Sequence, residues 1–189
     1  MPTASVAAAG PAIVVMGVSA SGKSSVAAGL STSLGIDWLD ADELHPAANV
    51  AKMASGQALT DDDRWPWLDS VGAELAHGAA GGGIIVACSG LRRAYRDRLR
   101  SRAPHAVFVH LTGTAELLEE RAKARTGHFM PATLLASQLA SLEPLAPDET
   151  GVEIDVSAPV AGIVEKAGRW MESQGLRELR QAGAARSAG

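Results

Sequence analysis

The sequence predicts an α/β fold in three layers, a five-stranded parallel sheet with helices on both faces. Short β-branched runs alternate with stretches of helical period, and helices are the connections that parallel strands require. A glycine-rich turn joins the first strand directly to the first helix. At 189 residues, with neither an internal repeat nor a linker between composition blocks, the chain suits one domain over residues 1–174 and a disordered tail over 175–189.

The elements follow in order. Ala12 to Met16 is a buried strand ending at Gly17, and from Gly22 the apolar residues Val26, Leu30 and Leu34 mark a helix that Gly35 stops. Ile36 to Leu39 reads as the second strand, running into Asp40-Ala41-Asp42 at the carboxyl edge of the sheet. Pro46 to Ser55 forms a short helix closed by Gly56. Asp61, Asp62 and Asp63 supply capping carboxylates ahead of Pro66, and Trp67, Leu68, Val71 and Leu75 give the next helix its apolar face. Ile84 to Cys88 is a third strand, followed by a helix from Leu91 with the stripe Leu91, Tyr95 and Leu99. Ala106 to Leu111 is the fourth strand, Thr114 caps a helix running through Arg121, and Val152 to Val156 is the fifth strand before a last helix over Val160 to Met171.

Composition narrows the function. Hydrophobic residues make up 47% and charged residues 20%, as in ordinary globular domains, and the net charge of −4 gives no footing for nucleic acid. The single cysteine, Cys88, forms no internal disulfide and suits the reducing cytoplasm. Ala7 to Val18 is apolar, but the first basic residue is Lys23, so it lacks the charged start of a secretion signal. No run approaches the roughly 18 apolar residues of a membrane span.

The chemistry lies in Gly17-Val18-Ser19-Ala20-Ser21-Gly22-Lys23-Ser24, which matches G-x-x-x-x-G-K-[ST] between a strand and a helix, with Ser25 opening that helix. Small residues let the backbone curl so that successive N–H groups face one anion, and the helix adds its positive end. Lys23 is expected to reach the β- and γ-phosphates of ATP, and Ser24 to coordinate Mg²⁺. This is a P-loop NTPase signature. A guanine-nucleotide switch would need N-K-x-D, yet the only asparagine is Asn49, and Asp148-Glu149-Thr150-Gly151 precedes an apolar run instead of ending one. A nucleic-acid motor is suggested by Arg92, Arg93, Arg96, Arg98, Arg100 and Arg102, but such a run reads as a solvated helix face, with only Arg92 and Arg93 starting near a strand end. Cys88-Ser89 also stand where a motor ATPase would carry an aspartate.

Several separate blocks resemble the gluconokinase family, relatives of shikimate kinase. They are Leu39-Asp40-Ala41-Asp42-Glu43-Leu44-His45-Pro46, Asn49, Lys52-Met53, Leu59 to Leu68, Cys88 to Asp97, Arg121 to Arg125, His128-Phe129-Met130 and Ser137-Gln138. The likeness runs from about Ile13 to the last helix. Ala20 and Ala41 depart from glycines usual in the family, and Gly90-Leu91-Arg92 replaces Ala-Leu-Lys.

The resemblance implies ATP-dependent phosphorylation of D-gluconate to 6-phosphogluconate, with a shikimate kinase-like activity as the alternative and a regulatory ATPase as the remoter one. With the chemistry of phosphoryl transfer, it implies a division of labour. Asp42, on an extended segment two residues past Asp40, accepts the proton of the attacking hydroxyl, while Asp40 holds water on Mg²⁺. His45 and His128 bind the sugar, and Arg64, with Arg92 or Arg93, grips its carboxylate. Arg121 and the catalytic Arg125 bracket the nucleotide under a small lid over residues 121–140, while Trp65 and Trp67 pack. Relatives are often dimers, so a homodimer is the corresponding expectation.

Overall fold

The computed structural model describes residues 9–124 and 132–176. In chain order the elements are β1 (Ala12–Met16), α1 (Lys23–Leu34), β2 (Trp38–Asp40), a 3₁₀ turn (Ala41–Leu44), α2 (Ala47–Ala54), α3 (Asp61–Ala80), β3 (Ile84–Ala87), α4 (Arg93–Arg102), β4 (Val107–Thr112), α5 (Ala115–Ala124), α6 (Ala132–Ser141), β5 (Gly151–Asp155) and α7 (Val160–Ser173). The sheet is parallel throughout, in the order β2-β3-β1-β4-β5. β1 is central, and all five of its residues are buried, as a strand covered on both faces requires. The strand order reverses direction at β1, so a crevice opens at its carboxyl end, where such sheets bind ligands.

Alternate side chains feed two separate cores. Ile13, Val15, Ile85 and Val109 pack with α1, α5, α6 and α7 on one face. Val14, Met16, Val86 and Phe108 pack with α3 and α4 on the other.

Several boundaries differ from the sequence reading, each for a local reason. Pairing in register with Ile85, Val86 and Ala87 sets β2 at Trp38–Asp40, and Ile36 is buried against the α1 side before the strand begins. The cap of α3 is Thr60, not the aspartates. Its hydroxyl accepts from Asp63 N–H while the Asp63 carboxylate accepts from Thr60 N–H, a reciprocal capping box, and Pro66 lies inside the helix. Lys52 also donates to Asp63 at 2.5 Å, which with the Thr60 contacts holds that carboxyl down at about 2. Helix α4 starts at Arg93 because Gly90 is left-handed at φ +53° and Arg92 is extended. Helix α6 is an addition to the expected elements. The anticipated tail, but for Gly175 and Leu176, lies outside the described residues.

The arginine run is not a uniformly solvated face. Arg96 is fully buried and all five of its donors are used. Nε and Nη2 donate to the Glu149 carboxylate at 2.7 and 2.8 Å. Nη1 donates to the carbonyls of Gly90 and Glu143, and Nη2 to that of Pro144. Burial raises the Glu149 pKa, but the Arg96 hydrogen bonds and the Ala146 N–H outweigh it and leave it lowered. Asp148-Glu149 thus belongs to a strap ahead of β5 that is fastened to α4.

The phosphate loop contains the one positive-φ residue other than glycine among those described, Ala20 at +62°. That conformation places its Cβ against the following carbonyl, which costs an L-residue roughly 1–2 kcal/mol.

Two stability measurements follow. Arg96→Ala should cost about 3–5 kcal/mol in urea unfolding, because a buried carboxylate loses its partner, and Arg96→Lys should not restore it, having too few donors; a wild-type midpoint in Arg96→Ala would overturn this. Ala20→Gly should be neutral or stabilising by up to about 1 kcal/mol, whereas β-branched Ala20→Val should lose more than about 1 kcal/mol. Destabilisation by Ala20→Gly would show that the left-handed alanine carries no strain.

Candidate active site

The loop after β1 curls under steric compulsion. Gly17 has φ +145°, and a Cβ there would lie 2.8 Å from the Leu111 carbonyl and 2.9 Å from Ser21 Oγ. Gly22 at φ +91° turns the chain into α1. Within the loop, Lys23 Nζ donates to the Val18 carbonyl at 3.1 Å, Ser19 N–H donates to Gln138 Oε1 at 2.7 Å, and the Gly17 N–H reaches the Ser89 carbonyl at 3.2 Å. Ser24 Oγ donates to Asp40 Oδ2 at 2.6 Å, so the end of β2 meets the start of α1 as the spacing of a metal-binding pair would require.

Beside the second half of the loop is a cavity of about 370 Å³, lined by Ala20, Ser21, Gly22, Ser25, Arg121 and Pro159 among others. Arg121 is fixed there by a hydrogen bond from Nη2 to the Val156 carbonyl at 2.6 Å. It therefore lies beside the second half of the phosphate loop. Arg125 and His128 lie outside the described residues, as does the middle of the expected lid, residues 125–131.

The other half of the site gathers around the carboxyl ends of β2 and β3. Asp42 is not on the extended segment that the sequence suggested: the Asp40 carboxylate accepts from the Asp42 N–H at 3.1 Å and starts the 3₁₀ turn. The turn leaves Asp42 with an exposed side chain, 3.9 Å from His45 Nε2. His45 stacks on Trp67 with centroids 4.2 Å apart, and Trp67 Nε1 donates to the Ala41 carbonyl at 2.7 Å. Burial lowers the His45 pKa, with Arg64 acting the same way and Asp42 against, so its ring stays neutral near pH 7 and can both donate and accept. Trp67 packs, as expected, and Trp65 meets the Tyr95 ring edge-on at 5.6 Å.

Arg64 and Arg92 converge. Their guanidinium carbons lie 5.5 and 5.8 Å from the Tyr95 ring centroid. Arg92 donates to Asp61 at 3.1 Å, Arg64 donates to Tyr95 Oη at 3.2 Å, and Tyr95 Oη donates to Asp61 at 2.5 Å. Two guanidinium groups thus share one carboxylate. Arg93 points elsewhere: it forms a fork with Asp148 at 2.8 Å twice and reaches Asp97 at 2.9 Å, which removes it from the candidate clamp. Cys88 lies where the two halves meet, since the charges of Asp42, Lys23 and Asp40 all act on it, although burial dominates and pushes its thiol up to about 12.

Sequence reasoning missed Asp61 and Tyr95, which read as a helix cap and an apolar stripe. Gln138 was noticed within a block but given no role.

A family model described as an AAA domain matches residues 13–145. A gluconokinase of Gluconobacter oxydans is 48% identical over 143 residues, covering 75% of this chain and 80% of that protein. The crystal structure of a gluconokinase from Sinorhizobium meliloti superposes with a TM-score of 0.80 at 45% identity, over 87% of this chain and 93% of that one. A shikimate kinase from Aquifex aeolicus, at TM-score 0.55 and 18% identity over 87% of this chain and 98% of its own, shares the fold. With the phosphate loop, the Asp40 contact and these identities in agreement along most of its length, the chain belongs to the gluconokinase family of P-loop kinases.

Proposed function

We propose that the protein transfers the terminal phosphoryl group of ATP to D-gluconate, giving 6-phosphogluconate and ADP. The observation that carries this reading is the pairing of Arg64 and Arg92 around one carboxylate at the acceptor end of a phosphate loop. Asp61 occupies the place of a counter-ion that an incoming carboxylate can share or displace. A guanidinium pair held over a tyrosine ring suits an acid better than a neutral sugar.

In the proposed reaction the acceptor hydroxyl oxygen bonds to the γ-phosphorus as the bond from that phosphorus to the bridging oxygen breaks. The hydroxyl proton passes to Asp42, whose exposed carboxylate is open to an acceptor. Phosphoryl transfer depends mainly on alignment and charge neutralisation. Lys23 supplies positive charge, and Arg121 holds the nucleotide from the far side of the loop. His45, neutral and fixed by Trp67, can donate to one sugar hydroxyl and accept from another.

The Ser24 hydroxyl and Asp40 carboxylate, 2.6 Å apart, are the hard oxygen donors that Mg²⁺ prefers, and Mg²⁺ bound there would neutralise phosphate charge. Arg125 as a catalytic cation, His128 as a sugar ligand and residues 121–140 as a lid belong to the same reading on family resemblance. So does a homodimer. A cytoplasmic place in carbohydrate metabolism accords with the chemistry and with the single buried Cys88. Among the described residues no helix is long and apolar enough to cross a membrane.

A coupled ADP-release assay over gluconate, other sugar acids, shikimate and nucleoside monophosphates should give gluconate the highest kcat/KM; a preference for shikimate or a monophosphate would sink the substrate assignment. Lys23→Ala should abolish turnover, and Asp42→Asn should lower kcat by roughly 10²- to 10⁴-fold with gluconate KM little changed. Full activity in Asp42→Asn would remove that residue from proton transfer. Arg64→Ala should raise KM for the acid and spare KM for ATP, and an unaltered acid KM would count against the clamp.

A further inference from the structure

Helix α6 carries a side chain that the proposed reaction leaves unused. Leu135, Leu139 and Leu142 follow one helical face; Leu135 is buried in the core on the α1 side, and the other two pack against it. Just past the helix, the Glu143 N–H donates to the Leu91 carbonyl at 2.7 Å, and Arg96 holds the carbonyls of Glu143 and Pro144. This end of α6 is therefore fixed to the segment between β3 and α4. From it, Gln138 places Oε1 2.7 Å from the Ser19 N–H, across 119 residues of sequence.

Position within the loop decides which phosphate this concerns. The second half of the loop, Ala20 to Gly22 with Ser25, lines the cavity that also holds Arg121, the side on which the nucleotide is proposed to bind. The first half is tied to the side where the acceptor is proposed to bind: the Gly17 N–H donates to the Ser89 carbonyl, in the segment that leads to Arg92. Ser19 stands between these, one residue from the Val18 carbonyl that takes Lys23 Nζ. On the ATP-dependent reading, a terminal phosphoryl group passing from nucleotide to acceptor would cross that point. Loops of this kind turn such N–H groups toward phosphate oxygens, and here a carboxamide oxygen supplies the acceptor. The same carboxamide carries two N–H donors on Nε2, so it can accept from the loop or donate to an anion that takes its place.

We propose that Gln138 recognises the terminal phosphoryl group, yielding the Ser19 N–H to a γ-phosphate oxygen and donating from Nε2 to the group in transfer. This rests on the ATP-dependent reading and adds to it a residue that distinguishes ATP from ADP. A β-phosphate alone gives Gln138 nothing to contact.

The test uses the full chain with Gln138→Glu and Gln138→Met. Calorimetric titration with ADP and with a non-hydrolysable ATP analogue, both with Mg²⁺, should show ADP affinity within about twofold of wild type and analogue affinity reduced by about tenfold or more. Turnover should fall on the order of 10²-fold, as for loss of one donor to a charged transition state. Gln138→Glu should keep the wild-type melting temperature, because its carboxylate still accepts from Ser19. Equal weakening of both nucleotides, or an unchanged ratio between them, would reduce Gln138 to a structural contact and overturn the proposal. A wild type that binds both nucleotides yet ignores gluconate would sink the substrate reading alone, since the nucleotide ratio is measured without an acceptor.

Discussion

The buried guanidinium of Arg96 is the constraint on which the site depends. Its five donors gather Gly90, Glu143, Pro144 and Glu149, which come from two stretches of chain that sequence keeps far apart. One stretch leads into Arg92, and the other leaves the helix that carries Gln138 and runs into the edge strand β5. A buried charge is costly unless every hydrogen-bonding position is matched, and that condition narrows the geometry to a single arrangement. Apolar side chains could fill the same volume but would not set the carbonyl positions.

Charge is handled differently in the exposed half. Arg64 and Arg92 lie side by side, an arrangement that mutual repulsion would oppose, and Asp61 and the Tyr95 ring offset it. The pair is thereby pre-organised for an anion. Each arginine also leans on a different element, one on α3 and one on the loop before α4, so the spacing between them reports how those elements pack.

Much of this was legible in the sequence because the phosphate loop, the strand-to-helix alternation and the apolar faces of α1 and α3 are local patterns. β1 falls on the residues read from its apolar run, and Gly35 ends α1 as a left-handed cap. What escaped depends on contacts between distant residues. Arg96 and Arg98 look alike in a run of arginines, yet Arg96 is buried against Glu149 while Arg98 meets Asp69 at the surface. Asp42 was placed by assuming that the strand continued, and a carboxylate two residues earlier turned the chain instead. Helix α6 had a signal in the spacing of Leu135, Leu139 and Leu142, overshadowed by the motif blocks before and within it.

The sheet separates two cores that share few side chains, and this partition has a bearing on how such an enzyme diversifies. Val26 and Ile163, which line the cavity beside the phosphate loop, belong to the α1 face; Trp67 and Tyr95, which support His45 and Arg64, belong to the α3 face. With the acid and the phosphate donor bound as proposed, substitutions that reshape the pocket for a new acid can accumulate on one side of a wall only one strand thick without disturbing the other layer. The architecture is modular across its thickness instead of along its length.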